Sequence, residues 1–496
     1  MSNVVSGFSR TVGSLLVVLL LSAGIGVAHA DVRLIDAVKA GDESAVRALL
    51  DQRVNVNAPE ADGTTALHFA VHGDDPDIVR VLIRAGADVK AANRYGVTPL
   101  WLASVNGNAD SVGMLLEAGA DANTVSAEGE TVLMASARTG KVEAVRALLA
   151  RGAAVNAKEG WRGQTALMWA AAEGHPAVIQ ALVEQGADLQ ARSNGGFTAV
   201  LFAAREGQIS ATQVLVKAGA NLNDALPART RQRADAAAPA TPEMGLNAFL
   251  LAAANAHYEL AAWLIDQGAD PNAAPQGWTA LHQVSWVRKA GIAGSNNPAP
   301  EGSGSMDSLE FVRRLVAKGA ALNARVTKRP NMGVTTLNSI GATPFLLAAR
   351  TADVDLMRLL AGLGADPRLA NEDGTTPLMV AAGVGTQAPG EDPGTEPEVL
   401  EAVKVTLDLG NDLNAVDQNG ETVMHAAAYK HVPTVVRFLA ERGARTEVWN
   451  RPNSKGWTPL TIAVGIQRGM NIVSSRPTAE AIRQVMASDQ TRSARP

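Results

Sequence analysis

The first residues with the chemistry to matter are histidines and acids near the start of the chain. His68 and His72 are four apart, with Asp74 and Asp75 just beyond. Two histidines at that spacing share a helix face and can ligate a metal such as zinc. Against that, His68, His282 and His425 all occupy the same Thr-x-x-His position, three residues after a threonine. A recurrence of that kind points to a structural task. His175 follows Gly174 directly and is read the same way. The run Gly302-Ser303-Gly304-Ser305 has a serine between glycines but opens no helix, so it lacks the strand–turn–helix setting of a nucleophile elbow and reads as linker. Two carboxylates in one cleft could do general acid–base work. Here Asp and Glu fall mainly in turns and on helix faces, where solvation explains them. There is no phosphate loop and no H-E-x-x-H zinc helix. With no cysteine, thiol nucleophiles, disulfides and Cys-held metals are excluded. The expectation is a non-catalytic chain without cofactor or metal.

The elements that carry these residues repeat. Gly86, Gly119, Gly152, Gly186 and Gly219 each close an apolar helix-like segment, and the series resumes at Gly268, Gly319, Gly364, Gly410 and Gly443. About a dozen residues later the text reads Thr65-Ala-Leu-His68, Thr98-Pro-Leu-Trp101, Thr165-Ala-Leu-Met168, Thr279-Ala-Leu-His282, Thr343-Pro-Phe-Leu346, Thr376-Pro-Leu-Met379, Thr422-Val-Met-His425 and Thr458-Pro-Leu-Thr461. Threonine caps the free N–H groups of a helix start. Proline is tolerated at the first helical position because its missing N–H had no partner there. A second helix follows, with apolar residues three to four apart, as at Ile78, Val79, Leu82 and Ile83. Glycine then ends it in a left-handed conformation.

This unit of about 33 residues resembles the ankyrin repeat, a β-turn followed by two antiparallel helices with a T-P-L-H-x-A signature. The resemblance implies an all-α solenoid of about twelve helix-turn-helix units with short β-turn or hairpin fingers. They start near 31, 64, 97, 130, 164, 197, 245, 278, 342, 375, 421 and 457 and cover residues 31–487. The end units are atypical, as solenoid ends should be. The first has Arg53 where the glycine belongs, and the polar tail 488–496 is expected to be disordered. Four insertions interrupt the array at about 224–244, 291–306, 325–340 and 383–397. The third should form a hairpin around Pro330-Asn331-Met332-Gly333. The second and fourth fall between the two helices of their units and should project from one edge.

Residues 1–30 read as a cleavable signal peptide. Arg10 precedes the apolar run Leu15 to Val27, and Ala28-His29-Ala30 makes a cleavage site before Asp31. The run is shorter than the roughly 20 residues of a membrane span. Cleavage removes one positive charge from a net of −5, giving −6. No basic face is indicated, so nucleic acid is not expected as a partner. The expectation is a periplasmic or secreted chain with no membrane span after cleavage, and a monomer.

The resemblance implies protein binding through turn tips and the exposed face of each first helix. The tip positions hold Arg94, Tyr95, Trp161, Arg162, Phe197, Trp278 and Trp457. The solvent-facing slots of the first helices hold Arg138, Arg205, Arg350, Tyr429 and Lys430, among others. Trp, Tyr and Arg are enriched in interface hot spots. Trp169 and Phe202 are expected to pack between helices. Three functions follow, in order of expectation: a protein-binding scaffold or accessory protein acting outside the cytoplasm, a secreted effector that binds a host protein, and an enzyme whose site is built from the insertions.

Overall fold

The computed structural model describes residues 26–227, 245–289, 300–330, 335–390, 392–468 and 471–493. Most of the expected signal peptide, the bulk of the first two insertions and the Asn331–Gly333 tip lie outside these residues. The chain divides into two compact parts, Met1–Ala154 and Val155–Pro496.

The first part stacks four helix pairs: α1 (Gly26–Lys39) with α2 (Glu43–Asp51), α3 (Ala66–His72) with α4 (Pro76–Arg84), α5 (Pro99–Asn106) with α6 (Ala109–Glu117), and α7 (Val132–Thr139) with α8 (Val142–Ala150). Helix α1 runs across the expected cleavage point between Ala30 and Asp31. The local chemistry is as the sequence demands. Thr98 Oγ1 accepts from the Trp101 N–H at 3.2 Å, and Pro99 opens the helix. Gly86 and Gly119 have φ of 88° and 96°. Arg53, in the glycine position of the first repeat, is forced to the same left-handed region at φ 58°. First helices stack on first helices, with alanines such as Ala70, Ala103 and Ala137 buried between them. A small side chain there lets backbones approach closely.

The second part continues with repeats five to twelve. Repeat five is α9 (Ala166–Glu173) and α10 (Pro176–Glu184); repeat six is α11 (Ala199–Arg205) and α12 (Ile209–Lys217). Repeats seven and eight are α13 (Ala248–Ala254) with α14 (Tyr258–Asp266) and α15 (Ala280–Val287) with α16 (Ser308–Ala317). Repeats nine, ten and eleven are α17 (Pro344–Arg350) with α18 (Val354–Gly362), α19 (Pro377–Ala382) with α20 (Glu396–Asp408), and α21 (Val423–Lys430) with α22 (Pro433–Glu441). After the short α23 (Thr446–Trp449), repeat twelve departs from the pattern. Its α24 (Pro459–Val464) leads into an antiparallel hairpin of β1 (Ile466–Arg468) and β2 (Asn471–Val473), then α25 (Arg476–Ser493). The tail expected to be disordered from 488 is helical as far as Ser493. Its first turns dock on α22 and α24 through Ala479, Ala481 and Ile482, and a docked helix propagates cheaply into residues with fair propensity.

Two ladders tie successive repeats. In one, the Thr-x-x-His imidazole bridges forward. His282 Nδ1 accepts from the Thr279 N–H at 3.2 Å, which leaves Nε2–H to donate to the carbonyls of Ala324 and Ala342 at 3.0 and 3.2 Å. His425 does the same toward Arg451 and Trp457, and His68 toward Val97. In the other, an asparagine in the turn grips the glycine turn of the next repeat. Asn156 donates to the Gly186 carbonyl at 3.1 Å and accepts from the Asp188 N–H at 2.8 Å. Asn57, Asn123 and Asn272 repeat the arrangement. At these positions a repeat satisfies backbone groups that its neighbour's turn would leave open.

Several of the described insertion residues pack on the repeats. Ser303 accompanies repeat seven: its N–H reaches His257 Nδ1 at 2.9 Å, and its hydroxyl donates to the Gly207 carbonyl at 2.8 Å. The finger 325–340 closes through Val326, which pairs with Gly341 and Ala342. Its Thr335 forms a bridge with Thr386 of the fourth insertion.

Candidate functional site

The expected recognition residues separate into an exposed and a covered group. In the first part, Arg94 and Tyr95 form an exposed tip. The guanidinium donates to the Tyr95 hydroxyl at 2.6 Å and lies 4.8 Å from its ring centre, and Tyr95 is 57% exposed. Arg138 is half-buried, 3.6 Å from the Glu130 carboxylate.

In the second part the exposed group sits on repeats five and six. Trp161 is 76% exposed, with the Arg162 guanidinium 4.5 Å from its ring centre. The loop beneath is stiff. The Glu159 carboxylate accepts from the N–H groups of Trp161 at 2.6 Å, Arg162 at 2.7 Å and Gln164 at 3.0 Å. Burial works against its charge, but the three N–H groups outweigh that and hold the carboxyl below its ordinary value. Asn194 of the next tip clasps this loop, donating to the carbonyls of Arg162 at 2.8 Å and Trp161 at 2.9 Å. Phe197 and Phe202 meet with ring centres 5.0 Å apart and planes tilted by 34°, and the Arg205 guanidinium lies 4.9 and 5.1 Å from the two ring centres. Phe202 is buried between helices as expected; Phe197 is half-buried.

The remaining residues are covered, which corrects their reading as solvent-facing. Arg350 and Lys430 are each 6% exposed, and Tyr429 is 7% exposed. For Arg350 and Lys430 the cause is the fourth insertion, which passes over the first helices of repeats nine and eleven as a strap. Lys430 Nζ donates to the Pro393 carbonyl at 2.7 Å, and Arg350 lies 3.7 Å from the Asp392 carboxylate. Burial pulls the Lys430 ammonium down to about 8, with Arg350 adding to this and Asp392 opposing it. Tyr429 donates to Glu421 at 3.0 Å. Trp278 is also no free tip. It packs edge-on against Trp286 at 5.8 Å over the cluster of Val326, Leu337 and Leu347, and its indole N–H donates to Gln283 at 3.0 Å.

The chemical candidates resolve into ties. His68 is buried with both ring nitrogens engaged, and among the described residues no group of three or more His, Asp or Glu could hold a metal. Ser303 Oγ lies 3.0 Å from His257 Nδ1, the contact of a nucleophile and its base. However, the serine hydroxyl donates to Gly207, and His257 Nε2 meets the Arg205 carbonyl at 3.0 Å, where a catalytic imidazole would have a carboxylate. Sequence reading missed this clamp because the two residues are 46 apart and meet only through an insertion. Among the described residues no helix is long and apolar enough to cross a membrane.

Models of ankyrin repeats match residues 34–126, 133–225 and 396–473, and a further one matches 249–286. Human ankyrin repeat and SOCS box protein 16 is 32% identical over 159 residues. That match takes in 31% of this chain and spans 28% of the relative's length. Ankyrin arrays act as scaffolds for protein–protein interaction, and the family is generally non-enzymatic. The repeated helix pairs, the histidine ties and these matches agree: the chain belongs to the ankyrin-repeat family.

Proposed function

We propose that the protein is a non-catalytic scaffold that acts outside the cytoplasm and holds a protein partner against the tips and first helices of repeats five and six. The observation that carries this is the Trp161–Arg162 tip. A tryptophan left largely in water forgoes about 2 kcal/mol or more of burial. Here the backbone that carries it is held by Glu159 and Asn194, so little loop ordering is left to be done when a partner covers the ring. Arg205 over Phe197 and Phe202 extends the same patch to the neighbouring repeat. The apolar leader through Ala30 supports export, with Asp31 as the mature start.

Affinity capture from the extracytoplasmic fraction of the native cell tests the surface. The bait is the chain from Asp31 onward, beside a bait carrying Trp161→Ala, Arg162→Ala and Arg205→Ala. One protein enriched on the first bait and lost from the second is the expected result. Equal retention by both baits contradicts the assignment. N-terminal sequencing of the native protein tests export: a start at Asp31 is expected, and an intact Met1 in the cytoplasm would refute it.

A further inference from the structure

Repeats ten to twelve and the two C-terminal insertions enclose a cleft of about 360 Å³, at the small end of the roughly 300–1,000 Å³ typical of ligand sites. Its wall includes Asp373, Asp417, Glu421, Lys455 and Trp457. The acids differ in how they are used. Asp417 is fully engaged: it accepts from the N–H groups of Asn419 and Glu421 at 2.8 and 2.9 Å and from the Thr375 hydroxyl at 2.8 Å. Asp373 accepts from Asn338 at 2.8 Å and Asn419 at 3.4 Å. Glu421 is only 8% exposed, and its Oε1 accepts from the Tyr429 hydroxyl at 3.0 Å and the Asn453 amide at 2.8 Å. Its Oε2 is buried and has no hydrogen-bond partner. A carboxylate oxygen left so is costly unless something fills the acceptor.

The cations of the cleft do not fill it. Arg329 and Lys455 are exposed and, among the described residues, form no ion pair. Lys455 instead lies over Trp457, 5.1 Å from the ring centre. The buried side of the cleft is therefore acidic, with one unused acceptor, and an indole forms part of the wall. An acidic acceptor and an aromatic wall together suit an organic cation.

We propose that this cleft receives an alkylguanidinium or alkylammonium group, which donates to Glu421 Oε2 and packs its stem against Trp457. The site is separate from the repeat-five and repeat-six surface, so either can fail without the other. Its pH dependence follows from the surroundings. Burial, with the Asp417 charge adding, pushes the Glu421 carboxyl up to about 7, against Tyr429, Asn453 and Lys455. A bound cation favours the carboxylate, so binding below pH 7 must release a proton and be weaker.

The test is calorimetry on the full chain with Nα-acetyl-arginine methylamide, its neutral citrulline counterpart and methylguanidine, at pH 6 and pH 8 in buffers of differing ionisation enthalpy. The arginine amide should bind about tenfold or more tighter than the citrulline amide. It should also bind several-fold tighter at pH 8 than at pH 6, with proton release at pH 6. Glu421→Gln should abolish both the preference and the proton release while the circular dichroism spectrum stays native. Trp457→Leu should weaken binding with the pH dependence intact. Equal affinity for arginine and citrulline amides, no binding of either cation at millimolar concentration, or an unchanged Glu421→Gln variant would overturn the proposal. Methylguanidine binding as well as the amide points to a free small cation; tighter amide binding points to a side chain of a polypeptide.

Discussion

Repeats five and six and repeats nine to eleven present the same slots of the same helix pair, yet they meet different surroundings. Arg205 ends the first helix of repeat six half-exposed, paired with Glu206 beside it at 2.8 Å. Arg350 ends the first helix of repeat nine in the equivalent slot, buried beneath the strap beside Asp392. The repeat sets the direction of a side chain, and the insertions decide whether that direction leads to water. An array of this kind can keep one stretch of its face open for a partner and seal another without altering the helices.

The largest expected contrast is with acid. Repeats eight and eleven are tied by His282 and His425, while the same slot holds Met168 in repeat five and Leu201 in repeat six. Burial pulls both imidazoles down to about 4, against the pull of the carbonyls they donate to. A folded-state value below the unfolded one stabilises fully above pH 6.5, and that stability is lost as pH falls toward 4. The loss should be about 1.4 kcal/mol per pH unit for each histidine. Hydrogen exchange between pH 6.5 and 4.5, corrected for intrinsic rates, should show repeats eight and eleven opening first. Repeats five and six opening first would break the comparison.

The second contrast concerns the paired arginines. Arg350→Ala empties a buried slot beneath the strap and should cost about 3 kcal/mol. Arg205→Ala removes an exposed pair and should cost under about 1 kcal/mol. Urea midpoints of the two variants measure both, and equal shifts would mean that the strap does not seal its face.

Glu421 supplies a smaller effect of opposite sign. Its folded-state value, raised to about 7, lies above the ordinary 4.5. It therefore favours folding at low pH, and this is lost as pH rises through 7. Glu421→Gln should stabilise the chain at pH 8 by on the order of 2 kcal/mol and change little at pH 4.5, read from urea midpoints at the two pH values. The reverse order would show that the carboxylate is already well solvated.

The smallest effect sharpens the comparison of the first repeat with the rest. Arg53 is held at φ 58°, where other repeats use glycine. Arg53→Gly should stabilise the end repeat by about 1 kcal/mol, seen as slower exchange in α2. No change would mean that the left-handed turn carries no strain there.

Much of this architecture is legible in the residues themselves. Thr98, Pro99, Gly86 and His68 announce a cap, a helix start, a helix stop and a tie at fixed spacing, because each acts on backbone groups within its own or the adjoining repeat. The Asn57, Asn123 and Asn156 ties were equally periodic and could have been found by the same reasoning. The exposure of Trp161 and Arg162 follows from their place at a turn tip. The burial of Arg350 and Lys430 does not, since it depends on a non-repeating strap whose path no local pattern encodes. Glu421 was hidden for the same reason. Its surroundings are assembled from Tyr429, Asn453 and the insertions, and only their meeting makes one carboxylate differ from dozens of solvated ones.

The contrast between an open and a sealed face can be measured directly, because the chain has no cysteine of its own. Single Arg205→Cys and Lys430→Cys variants, treated with a maleimide under native conditions, report the accessibility of the two slots. The Arg205→Cys thiol should react at least about tenfold faster. Deleting residues 386–394 from the Lys430→Cys variant should remove most of the difference. Equal rates in the intact chain would mean that the strap does not seal the slot.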